Sequence, residues 1–97
     1  MQKEYFIAIH EFCTNHNIEK SFVDLLEKNG LIEIVIDNKI ECIHINQIRQ
    51  LEKYIQFYYE LDINLEGIES ITHMLQKITS MQQEIIILKN RLLIYES

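Results

Sequence analysis

LEGIESITHMLQKITSMQQEIIILKNRLLIY (65–95) is the stretch on which the architecture of this chain turns. Ile71, Met74, Ile78, Met81, Ile85, Leu88, Leu92 and Tyr95 recur in steps of three and four, the a and d positions of a heptad pattern. At 1.5 Å per residue such a helix is on the order of 45 Å long. A head made from the roughly 60 preceding residues is only about half that across, so much of the stripe must find another surface. A second copy of the same helix is the simplest one, and these eight residues are the expected homodimer interface. Whether the two helices run parallel or antiparallel is left open by the pattern. Ile86 and Ile87 widen the stripe beyond a two-stranded seam, so part of it is available to pack on a head domain.

Upstream of this helix, LDIN (61–64) reads as a short connection, with Asn64 placed to cap the long helix. A helix is expected over 46–60, capped by Asn46, with Ile48, Leu51, Ile55 and Tyr58 on one face. LIEIVI (31–36) and IECIHI (40–45) are β-branched and broadly alternating about Asp37-Asn38-Lys39, the pattern of a β-hairpin. One of its faces would carry Glu33, Val35, Glu41 and Ile43, and either that face or its opposite meets solvent. EKSFVDLLEKN (19–29) reads as a helix with Phe22, Leu25 and Leu26 inward, and Gly30 falls where a left-handed cap would end it. AIHEFCTNH (8–16) reads as a first short helix burying Ile9, Phe12 and Cys13. The expected fold is therefore mainly α with a small β-hairpin: a head over 1–62 and a dimerisation helix over 63–97.

The absence of proline and the presence of only two glycines favour helix over a turn-rich sandwich or barrel. No apolar run approaches the roughly 18 residues needed to span a bilayer. MQKEYFIAIHEF (1–12) lacks the basic and apolar regions of a signal peptide, so cytoplasm is the expected compartment. Cys13 and Cys42 lie outside any CxxC spacing and read as reduced core residues. The formal net charge is −6, and the nine Lys and Arg are scattered without three adjacent anywhere. That balance disfavours nucleic acid and suits a basic protein surface.

Helix-turn-helix, hairpin, helix and long dimer helix is the chain order of the MerR-type winged-helix proteins. The chain resembles one branch of them more closely, the CbpM family of chaperone modulatory proteins. The resemblance is carried by IAIHEFCTNHNIE (7–19), SFVDLLEKNGLIEI (21–34), YYELDINLEGIESITHMLQKI (58–78) and QQEIIILKNRL (82–92), with DINLEGIE the most distinctive run. It implies a MerR-like winged helix-turn-helix head, a C-terminal coiled-coil helix paired antiparallel, and a non-enzymatic regulator. The implied partner is the J-domain of a DnaJ-like co-chaperone, CbpA, which such a regulator inhibits by competing with DnaK. The alternative is a DNA-binding transcriptional regulator of the MerR type. Against it, the second-helix arginine of the DNA binders' LRYYE-type motif falls on Asp24 when Gly30-Leu31 is the anchor. The wing arginine of their YRLY-type segment falls on Glu41 when Leu51 is the anchor. Acids at these places exchange two phosphate contacts for two repulsions, which should nearly abolish binding at physiological salt.

Glu19, Asp24 and Glu27 on the second helix, with Asp37 and Glu41 on the hairpin, form the expected partner-binding set. Taken alone they would describe an ordinary solvated face. A J-domain carries a basic second helix, however, and acids that meet it would steer encounter while apolar contacts supply most affinity. The alternative surface is the helix junction with Tyr58, Tyr59, Glu60, Asp62 and Glu66, where Tyr58 is expected to fill the core. Tyr59 and Tyr95 are left without a core role. His10 and Cys13, spaced i, i+3, could share a metal with Cys42 or His44, but nothing in the spacing requires one, and no cofactor is expected. No nucleophile elbow, phosphate-cradling glycine loop or HExxH segment occurs, so catalysis is not expected.

Overall fold

The first two helices of the head each stop at a residue in the left-handed region. The computed structural model describes residues 5–96, and its first strand is β1 (Phe6–Ala8). α1 (Ile9–His16) ends at Asn17, φ 55°, where the Asn17 N–H donates to the Thr14 carbonyl at 3.4 Å and the Ile18 N–H to Cys13 at 3.0 Å. α2 (Lys20–Lys28) is followed by Gly30, φ 74°, where the Gly30 N–H donates to Glu27 at 3.0 Å and the Leu31 N–H to Leu26 at 2.9 Å. The two ends are the same Schellman motif, which satisfies carbonyls that a helix leaves open. Gly30 takes the capping role expected of it, and Asn17, one of the few residues that tolerates this conformation, does the same for α1.

β2 (Ile34–Asp37) and β3 (Ile40–His44) form the expected hairpin, paired from Ile34 opposite Ile43 to Asp37 opposite Ile40. Asn38 and Lys39 both have positive φ, 56° and 68°, as a two-residue type I′ turn requires. A lysine in this region costs about 1 kcal/mol that glycine avoids. Lys39→Gly is therefore expected to raise stability by about 0.5–1 kcal/mol in urea unfolding, the gain trimmed by glycine's greater unfolded entropy. A lower midpoint would contradict this turn assignment.

A third strand joins the two that the sequence pattern predicts. β1 pairs antiparallel with β3, placing Phe6 opposite His44 and Ala8 opposite Cys42, so the sheet order is β1-β3-β2 and β3 is central. Three residues are too few to show a period, and β1 exists only because β3 offers it an edge. Cys42 and Ile43, on opposite faces of β3, are both buried, so neither alternative for a solvent face of the hairpin holds along its whole length. Solvent reaches the hairpin near its tip, where Ile36 is 73% exposed.

A 3₁₀ turn (Ile45–Gln47), α3 (Ile48–Ile55) and a π-helical turn (Gln56–Glu60) occupy the span expected as one helix. Its start is corrected: His44 Nδ1, rather than Asn46, is the cap, accepting the Asn46 N–H at 3.1 Å. The Gln47 amide then clamps the backbone ahead of β2, accepting the Glu33 N–H at 2.8 Å and donating to the Glu33 carbonyl at 2.9 Å.

The head core is Ile9, Phe12, Cys13, Phe22, Val23, Leu26, Ile32, Cys42, Ile43, Leu51 and Tyr54. Leu25, expected inward, is 44% exposed, and Val23 takes its place because 22, 23 and 26 make the tighter stripe on α2. Tyr58 is likewise corrected from core to surface. A continuing α-helix would stack it over Leu51, but the wider π turn advances each residue through a smaller angle and swings it outward. Tyr54 fills the core instead, and its hydroxyl donates to the Leu31 carbonyl at 3.3 Å.

α4 (Leu65–Glu96) begins directly after Asn64 and is 32 residues long, about 48 Å at 1.5 Å per residue. The chain divides into two compact units between Leu65 and Glu66.

Candidate functional site

Lys20, Asp24 and Glu27 have i, i+4, i+7 spacing and so share one face of α2. The Lys20 ammonium reaches from that face to the central strand, 2.6 Å from Glu41 and 3.4 Å from Asp24. The hydrogen bond to Glu41, ahead of that to Asp24, holds the Lys20 ammonium above the usual lysine range. Two acids that stand out separately in the sequence are therefore brought together, with a lysine that does not stand out between them. The Lys20–Asp24 pair is visible as i, i+4 spacing. The tie to Glu41, 21 positions along, is not. All three side chains are about half exposed, so water and salt screen the network. It orients the hairpin against α2 more than it stabilises the head.

Glu19 stands a quarter turn round α2 at the N-cap position and accepts a hydrogen bond from the Ser21 hydroxyl at 3.3 Å. Glu27 is exposed on the Asp24 face. Asp37 is not part of this group. Cross-strand partners share a sheet face, so Asp37 lies with Ile40 on one face and Glu41 with Ile36 on the other. Asp37 borders a separate recess with Phe6, Glu11 and Ile40.

Beside Glu19 the surface turns aromatic. Phe22 meets Tyr58 at 4.5 Å between ring centroids and Tyr59 at 5.4 Å, while the two tyrosines meet edge to face at 5.1 Å. The Glu19 N–H donates to the Tyr59 hydroxyl at 3.5 Å, tying the π turn to the start of α2. Glu60 and Asp62 from the alternative site are exposed nearby in sequence, whereas Glu66 belongs to α4.

Several other side chains make contacts within the head. Burial pushes the Cys13 thiol up, with Lys20 partly opposing, which disfavours a reactive thiolate. Cys42 is buried and donates to the Ile40 carbonyl at 3.5 Å. His16 stacks on Phe12 at 4.0 Å, with Nδ1 3.2 Å from the Phe12 carbonyl and Nε2 3.5 Å from Glu52. Among the described residues no three His, Cys, Asp or Glu side chains converge as a metal site would require.

On α4, Met74, Ile78, Met81, Ile85, Leu88, Leu92 and Tyr95 are exposed and Ile71 is half-buried. Ile68 and Thr72 are buried, with the Thr72 hydroxyl donating to the Ile68 carbonyl at 2.8 Å. Ile86, Ile87 and Leu93 add exposed apolar surface off the heptad seam. Among the described residues no helix is long and apolar enough to cross a membrane.

A family model described as MerR HTH family regulatory protein matches residues 7–90. No curated protein and no solved structure matches the chain.

Proposed function

The chain belongs to the MerR HTH family of regulatory proteins, and from that premise we propose that it regulates by binding a basic protein surface in place of DNA. Its partner in this reading is the J-domain of a DnaJ-type co-chaperone, as in the CbpM branch, and DnaK is excluded by competition. The observation that carries the reading is the convergence of Asp24 and Glu41 on Lys20. Both acids stand where the resemblance places phosphate-facing arginines. The one cation between them is engaged by two carboxylates, so the trio has a net charge of −1 and offers phosphate little attraction. Glu19 and Glu27 extend the acidic character along α2.

The apolar seam of α4 supports a homodimer as the working form. An isolated helix with this much exposed apolar surface gains by covering it, and a second copy offers a matching stripe. Antiparallel pairing is proposed from the family resemblance.

A pull-down with a CbpA-type J-domain, run beside a DNA shift assay at low salt, tests the reading. Retention of the J-domain with no DNA shift is the expected result. Tight, salt-sensitive DNA binding without J-domain retention would instead make the chain a transcriptional regulator.

A further inference from the structure

The π turn does something the core does not need: it moves Tyr58 to the surface beside Tyr59. Two grooves result, one on each side of this pair. The first, about 390 Å³, is lined by Asn17, Ile18, Glu19, Phe22 and Leu25 with both tyrosines. The second, about 380 Å³, is lined by the same tyrosines with Asp62, Ile63 and Asn64. Tyr59 is 45% exposed and Leu25 is 44% exposed, so the ridge is open to a partner. Among the described residues, the only charged ones lining the two grooves are Glu19 and Asp62, one on each side, with no lysine or arginine in either.

Aromatic faces flanked by carboxylates suit one kind of side chain. The stem of a lysine or arginine can lie along the rings, which attract its cationic head, while a carboxylate accepts its hydrogen bonds. An acidic peptide would meet Glu19 and Asp62 as like charges. A purely apolar anchor would leave both carboxylates facing it without a counter-charge.

We propose that the Tyr58–Tyr59 ridge is a docking site for a basic segment of a partner protein, which lays a lysine or arginine stem across the rings with its head toward Glu19. This rests on the reading of the head as a protein-binding surface and adds a contact region beyond Asp24 and Glu41. Tyr59 is the ring to change, being exposed and outside the core.

The test uses the full chain and a 16-residue amphipathic peptide of leucine and lysine, with a leucine and glutamate peptide as its opposite. Wild-type protein is expected to bind the lysine peptide, with changes in tyrosine ring signals by NMR, and to ignore the glutamate peptide. Tyr59→Ala should weaken lysine-peptide binding about tenfold, whereas Tyr59→Phe, which keeps the ring, should stay within about twofold. Both variants keep the net charge of −6, so non-specific attraction cancels between them. Equal binding by wild type and Tyr59→Ala, with unaltered melting, would overturn the proposal, as would capture of the glutamate peptide. The two readings fail separately. If the J-domain is not retained but the peptide still depends on Tyr59, the groove stands and the J-domain reading falls. If J-domain binding is insensitive to Tyr59→Ala but lost on charge reversal at Asp24 and Glu41, the groove falls alone.

Discussion

Ile85→Asp is expected to leave a folded monomer. Ile85 lies near the middle of the heptad stripe and is 51% exposed in the single chain, so a carboxylate there is hydrated and tolerated while the chain is alone. In a dimer the same carboxylate is enclosed by apolar side chains, and an uncompensated buried charge costs several kcal/mol. Dimer affinity should fall at least 100-fold, about 2.7 kcal/mol. Sedimentation across a concentration series reads the mass, and a cooperative melt should show that the chain is still folded. Gln83→Asp adds the same charge on a different face of α4 and should keep the dimer. If Ile85→Asp sediments at the wild-type mass, the pairing surface lies elsewhere.

Reversing Asp24, Glu27 and Glu41 to lysine together should weaken J-domain binding at least tenfold, about 1.4 kcal/mol, and steepen its loss at low salt. The Lys20 network adds a complication that residue spacing does not reveal. Reversal at 24 and 41 surrounds Lys20 with cations, so the hairpin would be pushed away from α2 as well as recharged. Glu19→Lys with Glu27→Lys avoids this, because it leaves the Lys20 network intact and changes charge on either side of it. The double variant should lose most of the same affinity while melting like wild type. Loss confined to the triple variant would place the effect at Asp24 and Glu41, through direct contact or through the hairpin orientation they set with Lys20. Full affinity in both would remove the acidic face from the interface.

How much of the fold is legible in the sequence depends on how local each determinant is. The α4 stripe, the Gly30 cap and the hairpin are written in neighbouring residues, through a 3.6-residue period, a residue with no Cβ and a two-residue turn. The buried positions of α1 are legible for the same reason. The MerR-type reading rests on the order of the elements along the chain, and residues 7–90 match the MerR HTH family model.

Three features needed the tertiary structure. β1 is a strand only because β3 supplies hydrogen-bonding partners, and β3 hides both faces only because it became central. Tyr58 left the core because the helix widened after Ile55, a change in angle per residue that a periodic template cannot represent. For the candidate site, the sequence could mark Asp24 and Glu41 as acids in unusual places, yet not that both would bind Lys20. Charge is additive along a chain, but whether a charge faces outward or is answered by a neighbour depends on contacts between distant residues. The sequence by itself determined the first two helices, the hairpin, the long helix and the sign of the net charge; the fold decided β1, the π turn and which of those charges are already answered.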